Sequence, residues 1–133
     1  MRYLLLLFLA SGLPLAAGCS TEPTVCPSVL ALVTTNLANQ TGQPLTGLSV
    51  RDTVRRTGAV LPVFANSSAL LPVDSTRLVP IFPDTLGGTL AAAGDEVIVV
   101  ITADGRLASG VYRLAFNGCF VQRLAGPDTL VLR

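Results

Sequence analysis

The sequence predicts an all-β fold: a single antiparallel β-sandwich of about seven strands, following a cleaved export signal. Three observations carry this expectation. Short runs of Val, Ile, Leu, Thr and Phe recur along the chain, each bounded by Gly, Pro, Asn or Asp, as in strands joined by turns. No apolar stretch after the N-terminal signal keeps helical spacing over three turns. The 133 residues allow one domain, large enough to fold on one core without metal or oligomer support.

The first element is an address. Met1-Arg2 supplies a positive start, and Tyr3 to Leu13 is an apolar run broken only by Ser11 and Gly12. Ala16, Ala17 and Gly18 are the small residues of a cleavage site ahead of Cys19. The competing reading is an uncleaved anchor. The run is shorter than the roughly 20 residues of a spanning helix, and Pro14 and the polar Ser20-Thr21-Glu22 also count against it.

Leu15-Ala16-Ala17-Gly18-Cys19 resembles a bacterial lipobox, with Ala16 where leucine is usual. The resemblance implies a signal peptide over 1–18, cleavage before Cys19, and lipid on Cys19. Ser20 rather than Asp after the cysteine implies the outer membrane of a Gram-negative envelope, at its periplasmic face or at the cell surface. Residues 19–28 would then be a lipidated cysteine and short tether, with the sandwich over 29–133. Each buried methylene contributes about 0.8 kcal/mol, so several acyl chains hold effectively permanently. Removing Arg2 leaves arginines and acids equal in number, so charge adds nothing to that hold.

An odd cysteine in an exported chain flags a free or intermolecular thiol. Lipid on Cys19 resolves the parity of the three cysteines and leaves Cys26 and Cys119. In an oxidising compartment the pair most simply forms a disulfide; two buried thiols that never meet are the alternative. Closing so long a loop would stabilise by about 4–5 kcal/mol. Only Ser20 to Val25 separate the lipid from Cys26, a span of at most about 20 Å.

The strands follow in order. Val29 to Asn36 places Val29, Ala31, Val33 and Thr35 on one face, and Asn39 to Pro44 turns. Leu48 to Val54 has Leu48 and Val50 on one side and Arg51 on the other. Ala59 to Phe64 follows Gly58, and Leu78 to Phe82 contains Pro80, which marks an edge strand. Thr89 to Ala93 reads as one helical turn or a loose strand. Val97 to Ile101 is continuously apolar, the signature of a central strand covered on both faces, and Asp104-Gly105 turns it. In Gly110 to Phe116, Tyr112, Leu114 and Phe116 oppose Val111, Arg113 and Ala115. Asn117-Gly118 turns into Cys119 to Leu124, and Gly126-Pro127 turns again before Thr129 to Leu132.

Asn39 to Val50, with its Thr41-Gly42-Gln43-Pro44-Leu45-Thr46-Gly47 turn, is similar to the opening of carboxypeptidase regulatory-like domains. Gly110-Val111-Tyr112 and Thr129 to Leu132 are similar to their later strands, while 55 to 96 matches nothing in that pattern. The resemblance implies a non-catalytic module, and it makes the expected sandwich transthyretin-like, with an Ig-like sandwich the other form that the strand pattern allows.

The chemical inventory points the same way. All nine basic residues are arginine, and neither histidine nor lysine occurs, so Ser-His-Asp, Cys-His and Ser-Lys sites cannot be built. Near-neutral charge argues against nucleic acid. Zinc lacks its four ligands, and Gly87-Gly88 lacks the spacing and lysine of a phosphate loop. Carboxylate-only catalysis would draw on Asp74, Asp84, Asp95, Glu96, Asp104 and Asp128, each at an expected turn or strand end, where acids are ordinary turn formers. The same residues lack the dense spacing of a calcium loop. Arg55-Arg56 reads as an exposed hairpin end, and the sequons at Asn39 and Asn66 as turn residues. No catalytic, cofactor or metal residue is therefore expected. The expected partners are the membrane, through Cys19, and an envelope protein. A module for a small apolar ligand or envelope glycan is the alternative, and a carboxylate-dependent hydrolase ranks below it.

Overall fold

The computed structural model describes residues 25–27, 32–66 and 71–133. Its strands are β1 (Leu32–Asn39), β2 (Leu48–Val54), β3 (Ala59–Asn66), β4 (Thr76–Pro83), β5 (Asp95–Ala103), β6 (Arg106–Phe116), β7 (Val121–Ala125) and β8 (Thr129–Leu132). They form a three-stranded sheet, β4-β1-β8, packed on a five-stranded sheet, β3-β2-β5-β6-β7. The all-β sandwich is therefore what the chain forms. Every pairing is antiparallel except β1 with β8, which run parallel.

Alternation sets the faces. Val33, Thr35, Leu37 and Asn39 of β1 turn inward, as do Val97, Val99 and Ile101 of β5 and Tyr112 and Leu114 of β6. Strand β5 is central, as its composition predicts, but only its inner face is covered. Ile98 and Val100 are merely half-buried, sheltered from the sides by their register partners Thr53, Val111, Arg51 and Ser109. Proline marks the edges: Pro80 lies in β4 and Pro62 in β3, both outermost strands. Each stands beside a slip in register, at Val33/Thr34 and at Val50/Arg51.

One local expectation is corrected. A 3₁₀ helix, η1, occupies Asp84–Thr89 and ends where the expected element begins, and Leu90 to Ala93 is neither helix nor strand. The chain after Leu90 makes a turn in which the Gly94 N–H donates to the Ala91 carbonyl at 2.9 Å. η1 is fixed by contact rather than by pattern: a Cβ on Gly87 would lie 2.3 Å from the Phe116 ring. β1 begins at Leu32, and the expected start at Val29 falls outside the described residues. The Asp104-Gly105 turn is as expected, with φ of 46° and 75° in the two-residue hairpin.

Two polar devices tie the layers. The Tyr112 hydroxyl donates to Thr35 Oγ1 at 2.8 Å, joining β6 to β1 through the core. Thr35 Oγ1 in turn donates toward the Asp128 carbonyl at 3.3 Å. Asn39 is wholly buried, and its amide donates to the carbonyls of Gln43, Leu71 and Pro72 at 2.8, 3.0 and 3.0 Å. Its Oδ1 accepts from the Thr41 N–H and hydroxyl at 3.1 and 2.7 Å. Two connections are thus clamped at one end of the sandwich.

Gly126 has φ of 140°, and a Cβ there would meet Tyr112 Cδ1 at 2.3 Å. Gly126→Ala is expected to destabilise by about 3 kcal/mol, combining backbone strain with overpacking, as read by denaturant midpoint. Asn39→Ala removes the five hydrogen bonds of a wholly buried side chain and leaves a void in its place, and is expected to cost about 2–3 kcal/mol by the same measurement.

Candidate functional site

Cys26 and Cys119 are bonded, with Cα atoms 5.2 Å apart and 93 residues of separation. The β6–β7 turn holds its cysteine in place with a local Asn cap. Asn117 Oδ1 accepts from the backbone N–H groups of Cys119 and Phe120 at 2.9 and 2.8 Å. The bond therefore fastens the N-terminal arm to one end of the sandwich. That end also carries the β2–β3 turn at 55–58 and the β4–β5 connection at 84–94.

The connection is pinned by ion pairs. Arg56 grips Asp95 with two bonds, Nε to Oδ1 at 2.7 Å and Nη2 to Oδ2 at 2.9 Å. Hydrogen bonding to Arg56 holds the Asp95 carboxyl below its ordinary range, against the opposing effect of burial and with help from the Ala91 N–H. Arg55 pairs with Glu96 at 2.5 Å, and Arg113 Nη2 donates to the Ala93 carbonyl at 3.1 Å. The arginine pair foreseen as a hairpin end is one, with both members engaged.

The candidate carboxylates are dispersed. Asp84 Oδ1 accepts the Val121 N–H at 2.7 Å, and Asp128 pairs with Arg123 at 2.5 Å. Asp104 accepts from the Thr46 N–H at 2.5 Å at the opposite end, and Asp74 sits in a turn with φ of 52°. Among the described residues no three Asp, Glu or Cys gather as a metal-binding group. None of their helices is long and apolar enough to cross a membrane.

A groove of about 610 Å³ opens between the two sheets beside the disulfide end. β8 pairs only with Asn36–Asn39, so Leu32 to Thr35 of β1 have no strand on that side. Val121 and Arg123 of β7 form the facing wall. The groove is broad and open rather than an enclosed cavity.

One carboxylate escaped the sequence reading. Asp52 lies inward on β2 between Val50 and Val54, with no exposure, and neither oxygen has a hydrogen-bond partner. The signal was present in the alternation of Leu48 and Val50, which carries straight on to position 52. Burial pushes its pKa up to about 8, so it holds its proton at neutral pH. Comparison of the chain with protein-family models, curated proteins and solved structures finds no match.

Asp52 makes stability fall with rising pH. Its folded pKa of about 8 exceeds the ordinary 3.8, so the folded chain binds a proton that the unfolded chain has released. The contribution is full below about pH 4 and is lost up to about pH 8, at about 1.4 kcal/mol per pH unit. With no histidine, no other side chain of ordinary pKa titrates in the middle of that window. Denaturant unfolding between pH 5 and 8 should show this slope, and Asp52→Asn should flatten it.

Proposed function

We propose that the chain is an exported lipoprotein anchored through Cys19, carrying a non-catalytic β-sandwich with a structural or protein-interacting role in the cell envelope. The observation that carries this reading is the Cys26–Cys119 bond. It uses two of the three cysteines and leaves Cys19, at the lipobox position, as the third. A membrane-bound sandwich of the carboxypeptidase regulatory-like kind belongs to the same proposal. So does its place at the outer membrane, at the periplasmic face or on the cell surface. The deployment of the acids supports a non-catalytic role: Asp84, Asp95, Glu96, Asp104 and Asp128 each hold a turn or an ion pair. The openness of the β1–β7 groove favours contact with a protein surface over a small ligand, which pockets bury by roughly 70–90%.

The test is the intact mass of detergent-extracted protein before and after reduction and alkylation. The expected mass is residues 19–133 plus acyl chains, with Cys26 and Cys119 alkylated only after reduction. Cys19→Ala should abolish the acyl mass and leave the protein extractable without detergent once it is processed elsewhere, or unprocessed if it is not. A wild-type mass without lipid would overturn the anchor.

A further inference from the structure

Resting on the lipoprotein reading, we infer that the disulfide also fixes which end of the sandwich meets the membrane. The end bearing 55–58, 84–94 and 117–120 faces the lipid headgroups, and the opposite end stands away as the presented surface.

The argument is one of length and placement. Six residues, Ser20 to Val25, span at most about 20 Å. They lead to Cys26, which is bonded into the β6–β7 turn rather than hanging from the start of β1. Without the bond, the reach from Cys19 to Leu32 would be about twice as long. The nine residues of β5 run from this end to the other, a length of about 30 Å at the usual strand rise. The tethered end therefore cannot be the distant one.

The surface of the tethered end fits that placement. Val25, Leu32 and Leu124 are exposed around the tethered end, at 88%, 53% and 50%. Its charges balance: Arg55, Arg56 and Arg113 lie among Asp84, Asp95 and Glu96, so anionic headgroups are neither strongly attracted nor repelled. The far end exposes Val73 and Leu107, at 39% and 50%, among mostly polar side chains. It presents Gln40, Gln43, Thr46, Asp74, Asp104 and Arg106, together with Arg133.

The experiment uses the full acylated protein in vesicles of phosphatidylcholine and phosphatidylglycerol that carry a headgroup spin label. A bimane is placed singly on Thr57→Cys at the tethered end or Gln43→Cys at the far end, and the native disulfide and acylation are checked by mass. Quenching at position 57 should exceed that at 43 several-fold. A Gly-Ser insert of about twelve residues after Ser20 should shrink the difference while leaving the fold intact. Equal quenching, or stronger quenching at 43, in acylated protein would overturn the orientation and leave the anchor standing. A protein without acyl mass that does not bind vesicles would overturn both.

Discussion

Five strands present a wider apolar face than three can cover, and much of the structure answers that mismatch. β8 runs parallel beside β1, and Leu107 of β6 and Arg133 just beyond β8 exchange N–H···O bonds at 3.3 Å, so the two sheets join at one end. The chain between β7 and β8 crosses close over β6. A Cβ on Gly110 would lie 2.7 Å from Leu130 and 3.0 Å from Pro127, so glycine permits the approach. Tyr112 then fills the space between the layers and reaches Thr35. At the other end η1 packs its Gly87 against Phe116, and the disulfide draws the N-terminal arm across. The stretch of β1 that β8 is too short to reach stays open, and it is the groove beside the disulfide end.

The buried polar groups show two opposite solutions. Asn39 has partners for both its donors and its acceptor, so its burial organises the turns instead of weakening the core. Asp52 has none, and only protonation makes its burial tolerable. The same β-sandwich thus holds one polar side chain that specifies loop geometry and one whose cost varies with pH. Neither acts through the solvent-facing surface.

Most of the sheet was legible because its determinants are local. Period-two alternation located β2 to the residue and put Tyr112 and Leu114 on the inner face of β6, though that strand begins at Arg106 rather than Gly110. Asp-Gly and Asn-Gly marked the turns that join β5, β6 and β7. Pro80 placed β4 at an edge by its missing N–H. What was not legible depends on distant contacts. η1 has no apolar period, because its position comes from Phe116 and from the bond between Asp84 and Val121. The parallel pairing of first and last strands leaves no mark in either one. Asp52 was hidden for a different reason: an acid on an alternating strand invites the reading that the inward face has ended there.

The candidate site divides along the same line. The pairing of Cys26 with Cys119 could be read from sequence, while the end to which the arm is fastened required the fold. That location changes what the bond means. A bridge from Cys26 to a strand in the middle of a sheet would have stabilised the chain about as well by loop closure, since that term depends on loop length. Placed in a terminal turn, it makes the two ends of the sandwich inequivalent. One carries the arm and the paired arginines; the other carries the Asn39 clamp. On the lipoprotein reading, a rigid sandwich held at one end is a spacer as well as a module. The residues suited to meet a partner are then those on the far end and along the open edge of β1.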